Sequence, residues 1–220
     1  YWLAKKMTGE KLIGLVAAGL LAVSPWSLQL SRAAFEAHLA ALYSLLGIIC
    51  FIAGTKKSWL YIFSVIFFVL SFYTFNANRI LSPLFVILLI SIYRKEVRSA
   101  KKWLLMATII GLILLMPSIT YLLSRESRLR FHEVSIFTSL NTVQNANERI
   151  ARAGGTWLAN ILHNRRVYFT REFLYNYLDH FKGEYLFILG DQNPRLSTQD
   201  VGELYLFELP FIFVGLFILL

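Results

Sequence analysis

The chain has 220 residues, of which 57% are hydrophobic and only 16% charged, with a net charge of +9 and a mean hydropathy of +0.57. Soluble domains are roughly 45–50% apolar and about 25% charged, so this composition excludes a water-soluble globular domain and indicates an integral membrane protein. In a soluble chain the positive balance would point to nucleic acid. Here many basic residues fall in short segments between apolar runs, where membrane topology requires them, and no nucleic-acid partner is expected.

A bilayer core of about 30 Å needs about 20 apolar helical residues. Six runs are candidates, in chain order Leu12 to Trp26, Ala33 to Ala53, Trp59 to Phe75, Ile80 to Tyr93, Trp103 to Leu123 and Leu204 to Leu220. They are continuously apolar, whereas barrel strands alternate with period two, so an all-α bundle is predicted. Cys50 is the single cysteine and lies inside a run, so no disulfide framework exists within the chain.

The connections alternate in charge. Lys5, Lys6 and Lys11 precede the first run, Lys56 and Lys57 precede the third, and Arg94, Lys95, Arg98, Lys101 and Lys102 precede the fifth. The short opposite connections carry only Arg32 and Arg79. This positive-inside pattern predicts a multi-pass plasma-membrane protein with its N-terminal end in the cytoplasm and Arg32 and Arg79 on the far side. Three regions follow: a five-span bundle over 1–123, an extracytoplasmic segment over 124–203, and a sixth, truncated span over 204–220. The chain lacks an initiating methionine and ends within an apolar run, so it reads as a fragment.

The long segment carries ten Lys/Arg and nine Asp/Glu between Ser124 and Glu203. Within it, Phe169, Phe173, Tyr177 and Phe181 recur at every fourth position. That spacing predicts an amphipathic helix, lying along the membrane surface or packed on the bundle. The stretches "GGTW" and "GDQNPR" are turn signals.

Three polar clusters gather on the far face. In "SPWSLQLSRAAFEAHLA", Arg32 and Glu36 are four apart, so on one helix they can pair. They make either a rim salt bridge or one wall of a polar cavity. In "SFYTFNANRILSPLF", Tyr73, Asn76, Asn78 and Arg79 stand at the mouth between the third and fourth runs. The planar fork of arginine suits phosphate, and an ordinary interfacial arginine is the plainer reading. The long segment holds His132, His163, His180, Asp179, Asp191 and Asp200. No HExxH, CxxC, Gly-rich phosphate loop or nucleophile elbow is present, and no metal ligand set is predicted.

Together "LLAVSPWSLQLSRAAFEAHLA", "LSFYTFNANRILSPLF", "RFHEVSIF", "ILHNRRVYFTREFLYNYLDHF" and "FLYNYLDHFKGEYLFILGDQNPRLSTQDVGELYLFELPF" resemble bacterial multi-spanning glycosyltransferases. The group is the protein O-mannosyltransferase-like superfamily, glycosyltransferase family 39 and its relatives, which include the lipid A aminoarabinose transferases. The resemblance runs over most of the chain and is carried by dispersed patterns. It implies a GT-C fold, a polyprenyl-phosphate-linked sugar as donor, and a protein, lipid or glycan acceptor on the extracytoplasmic side. It implies a general-base Asp in a loop upstream of Tyr1. By the same resemblance Ser31-Arg32…Glu36 borders the sugar site. Topology puts Arg32, Glu36 and Arg79 at the depth of an outer-leaflet cavity, so with Tyr73 and Asn78 they form the expected substrate-binding set, with Arg79 on the carrier phosphate. Divalent-metal use varies within the superfamily. The chain departs from the pattern where relatives carry Asp at Glu36, and where the motif has histidine and this chain has Leu196.

Rival readings are a transporter or flippase of a lipid-linked or anionic solute, which favours paired repeats with broken helices, and a scaffold whose long loop binds a partner. A surface-glycan polymerase or ligase shares the chemistry but differs in acceptor. The sequence shows no internal repeat.

Overall fold

The computed structural model describes residues 1–135, 140–154 and 156–219. The chain is 78% helical, with no strand among the described residues. Helices α1 (Trp2–Thr8) and α2 (Lys11–Val23) are followed by α3 (Pro25–Arg32), α4 (Glu36–Gly54), α5 (Leu60–Thr74) and α6 (Asn78–Ile92). A short α7 (Arg94–Ser99) leads into α8 (Lys101–Leu122). Then come α9 (Arg125–Val134), α10 (Leu140–Arg152), α11 (Trp157–Leu162) and α12 (Arg165–Asp179), a π-helical turn Glu184–Ile188, a 3-10 turn Leu206–Glu208 and α13 (Leu209–Leu219).

Two helices are long and apolar enough to cross a membrane, Glu36–Gly54 and Lys101–Leu122. Three are reached if α2 and α3, bent by 50° at their junction, form one span. The other expected spans become shorter apolar helices. Helices α5 and α6 have 15 residues each, about 22 Å at 1.5 Å per residue, against a core of about 30 Å.

The helix breaks have local causes. The expected first span, Leu12 to Trp26, ends early because Pro25 follows Ser24. A residue before proline is pushed out of the α region, and Ser24 has φ −59° and ψ 133°. The expected second span does not start at Ala33, because Ala34 adopts φ 52°, a left-handed conformation that ends α3. Helix α4 then starts afresh, with Glu36 in its first turn, where a carboxylate favours the helix dipole.

Helix α5 is the hub. Its largest interface is with α4, and it also packs on α8 and α6. Close approach of α4 and α5 depends on small residues. A Cβ at Gly47 would lie 3.1 Å from the Phe68 ring, and one at Gly54 would lie 2.9 Å from the Tyr61 ring. Membrane helices associate through such contacts, since lipid leaves little hydrophobic force between them. The core cluster comprises Phe51, Tyr61, Phe68, Leu89, Ala100 and Ala107, with Phe51 and Tyr61 edge to face at 5.0 Å. Outward-facing Leu12, Leu15, Ile87, Leu105, Leu112 and Ile113 stay exposed, as expected of a surface turned to lipid.

Candidate functional site

The first candidate cavity lies where α5, α6 and α8 end. It measures about 180 Å³ and is lined by Phe72, Tyr73, Arg79, Pro117, Ser118, Tyr121 and Leu122. Arg79 sits in the first turn of α6, half-buried, with its guanidinium 5.0 Å from the centroid of the Tyr121 ring. That cation–π contact orients the arginine, and no carboxylate pairs with it among the described residues. The Tyr73 hydroxyl donates to the Leu114 carbonyl at 2.8 Å. Leu114 lies three residues before Pro117, in the turn that a proline disturbs. Here a guanidinium with no acidic partner among the described residues closes a pocket whose other walls are aromatic and aliphatic apart from Ser118, whose hydroxyl donates to the Leu115 carbonyl at 2.6 Å.

Asn78 is placed differently from the expectation for it. It does not sit at the mouth with Arg79 but points into the bundle, 7% exposed. Its Nδ2 donates to Ser44 Oγ at 3.0 Å and to Ser71 Oγ. Ser71 Oγ in turn donates to the Ala40 carbonyl at 2.9 Å and lies 2.8 Å from Ser44 Oγ. This neutral network ties α4, α5 and α6 together, as polar side chains do between membrane helices. The Asn78 amide donor is therefore engaged by the protein.

The second candidate cavity lies between α3 and the loop 189–205. It measures about 220 Å³ and includes Trp26, Gln29, Arg32, Ser197, Thr198, Glu203 and Tyr205 in its lining. The loop reaches this place through several backbone ties. Trp26 N–H, an orphan donor of the first turn of α3, donates to the Glu203 carbonyl at 3.2 Å. Ser24 Oγ donates to the same carbonyl at 3.4 Å. Glu203 N–H reaches the Tyr185 carbonyl at 3.3 Å, and Leu204 N–H reaches the Leu186 carbonyl at 2.7 Å. At Gly202 the chain runs so near the π-helical turn that a Cβ would lie 2.4 Å from the Phe187 backbone. The "GDQNP" turn is shaped by Asx bonds: Asp191 Oδ1 accepts from Asn193 N–H at 2.7 Å, and Asn193 Oδ1 accepts from Arg195 N–H at 3.0 Å.

Glu203 is the acidic residue in the lining of this cavity; its carbonyl meets α3, and its Oε1 accepts from Asp191 N–H. Burial pushes its pKa up from the usual 4.5, the Asp191 N–H bond to its Oε1 at 3.1 Å pulls it down, and the Asp191 charge pushes it up again. The Tyr185 hydroxyl is also pushed up, first by burial and then by the charges of Glu203 and Asp191. A guanidinium, a half-buried carboxylate and the hydroxyls of Thr198 and Tyr205 can together hold a polyhydroxylated ligand by charge-assisted bonds, while the buried Ser197 hydroxyl is engaged within the loop, donating to the Leu189 carbonyl at 3.3 Å and accepting from Gln199 N–H at 3.1 Å.

The Arg32–Glu36 pair predicted from their spacing does not form. Both side chains are exposed, and no ion pair joins them among the described residues. The left-handed turn at Ala34 separates their helices, so the i,i+4 relation no longer applies. Arg32 faces the Glu203 cavity instead. Arg32 and Arg79 line different cavities with no residue in common. Sequence reasoning missed Glu203, Ser197, Thr198, Tyr205 and Tyr121. An acid between Gly202 and an apolar run was the available signal for Glu203.

His38 Nε2 lies 3.2 Å from Ser27 Oγ, and its ring meets Trp26 edge-on at 6.1 Å. His180 Nδ1 lies 2.7 Å from the Asn176 carbonyl oxygen. His163 Nδ1 lies 3.4 Å from the Tyr168 hydroxyl. The side chain of His132 and part of "RFHEVSIF" lie outside the described residues. No three His, Cys, Asp or Glu residues converge among the described residues. No known protein family, curated protein or solved structure matches the chain.

Proposed function

We propose that the chain is part of a multi-pass plasma-membrane glycosyltransferase of GT-C type, which moves a sugar from a polyprenyl-phosphate carrier to a protein, lipid or glycan acceptor on the extracytoplasmic side. Residue patterns resembling the protein O-mannosyltransferase-like superfamily support this reading. The single structural observation that carries it furthest is the Arg79 cavity. An arginine with no acidic partner among the described residues closes a pocket of Phe72, Tyr73, Pro117, Ser118, Tyr121 and Leu122 at the ends of apolar helices. A polyprenyl phosphate has the same two-part chemistry, an apolar chain joined to an anion.

In this proposal Arg79 holds the carrier phosphate, while Arg32, Glu203, Thr198 and Tyr205 form a wall for sugar hydroxyls. The acceptor oxygen loses its proton to a carboxylate base and forms a bond to the anomeric carbon. The bond from that carbon to the phosphate oxygen breaks, and its electron pair leaves with the phosphate. Arg79 stabilises the charge that grows there.

Farnesyl phosphate is the probe, titrated against the full-length protein in nanodiscs, with farnesol as the uncharged control. A hydrogen bond to a charged group contributes about 1.5–3 kcal/mol, so Arg79→Ala should weaken farnesyl phosphate about tenfold or more and leave farnesol unchanged. Equal binding of the phosphate by the parent and Arg79→Ala proteins would remove Arg79 from the site. One feature favours the transporter reading: α2 and α3 form a broken helix pair bent by 50°, as in carriers that bind solute at half-helix ends.

A further inference from the structure

Helix α12 faces the wrong way for a soluble protein. Phe169 is buried and Tyr168 and Glu172 are half-buried, and α12 packs against α10. The outward arc carries Val167, Phe173, Leu174, Tyr177 and Leu178, continued by Phe181, and each of these is 46–61% exposed. At 100° per residue the five helical positions fall within one continuous face. Phe173, Tyr177 and Phe181 stack along it, with ring centroids 6.1 and 5.3 Å apart. The preceding α11 adds Trp157, Leu158, Ile161 and Leu162, each at least half exposed. An apolar area of this extent marks an interaction surface.

Charge says what covers it. Arg166 and Arg171 flank a shallow apolar groove of about 560 Å³ whose other walls are Val167, Thr170, Leu174 and Tyr175. Both arginines are exposed, and neither has an acidic partner among the described residues. The nearby cation Lys182 differs, because it is paired with Asp179. On this helix Glu172 is half-buried and Asp179 is engaged by Lys182, while two guanidiniums with no acidic partner among the described residues border the apolar groove. The same chain carries helices able to cross a bilayer, so a lipid surface lies within reach.

We propose that the outward face of α11 and α12 lies in the membrane interface and selects anionic phospholipid, with acyl chain against Val167, Thr170 and Leu174 and the headgroup phosphate bridging Arg166 and Arg171. A basic, aromatic-rich helix with one apolar face is the kind that lies in the plane of the interface, and arginine holds phosphate through two parallel bonds. The proposal does not depend on the transferase reading.

The test uses the full-length protein with Cys50→Ser and Tyr177→Cys, labelled at the new thiol with an environment-sensitive fluorophore. Nanodiscs are made of phosphatidylcholine alone or mixed with phosphatidylglycerol, each with brominated acyl chains as quencher. The expected result is quenching that strengthens with phosphatidylglycerol and falls with salt. Arg166→Gln with Arg171→Gln should remove that gain, about fivefold per arginine in the bound-to-free ratio. Arg195→Gln, an exposed arginine elsewhere, should keep it. Equal quenching with and without phosphatidylglycerol overturns the selectivity. No quenching in either disc overturns lipid contact altogether and points to protein or water over this face.

Discussion

At the residue scale, two side chains change what the sequence suggests. Asn78 looks like a rim residue because it neighbours Arg79, yet the helix turns it by about 100° from that neighbour and into the serine network. Removing it leaves Ser44 and Ser71 without their amide donor. Asn78→Ala is expected to destabilise the bundle by about 0.6–1.7 kcal/mol, the range for such bonds between membrane helices, as read by unfolding in mixed micelles. A null effect would mean the network contributes nothing to helix association. Glu203 makes a different prediction. Burial raises its folded pKa above the unfolded value. Its contribution to loop docking is thus fully present below pH 4.5 and is lost as pH rises through the raised folded value. A nitroxide on Thr198→Cys, in a Cys50→Ser chain, should be less mobile at pH 4 than at pH 8. Glu203→Gln should flatten that difference.

At the element scale, some features were legible and others were not. Helices α4 and α8 could be read from the sequence because their apolar runs are long and uninterrupted. The break at Ser24 was marked by Pro25. The break at Ala34, at φ 52°, was not, since alanine favours a helix; the Arg32–Glu36 pairing failed for that reason. The four-residue spacing in α12 was legible as an amphipathic helix, but it grouped buried Phe169 with exposed Phe173, Tyr177 and Phe181. A period of 3.6 drifts off an i,i+4 row, so that row crosses from the inward to the outward side. The docking of loop 189–205 on α3 links positions 179 residues apart, such as Ser24 and Glu203, and has no local signal. It does have a sensitive point. Gly202→Ala must displace the Phe187 backbone, at a cost on the order of 1–3 kcal/mol. Trypsin should then cut faster after Arg195. Gly215→Ala, where a Cβ meets open space, should leave the cutting rate alone.

At the scale of the whole molecule, two of the cavities at the helix ends differ in character. The one at Arg79 is cationic and apolar, while the one at Arg32 joins a cation, a carboxylate and hydroxyls. The proposed reaction needs both chemistries, one for a lipid phosphate and one for a sugar. A transporter would need the same recognition but would leave the sugar–phosphate bond intact. The phosphorus itself separates the two. Full-length protein in proteoliposomes, supplied with polyprenyl-phosphate-linked sugars and acceptor-bearing extract from its own membranes, can be followed by phosphorus NMR. The account predicts that the phosphodiester signal of the donor converts to the phosphomonoester of the free carrier, and that Arg79→Ala slows the conversion about tenfold or more. A phosphodiester that persists while the donor crosses the bilayer would contradict it.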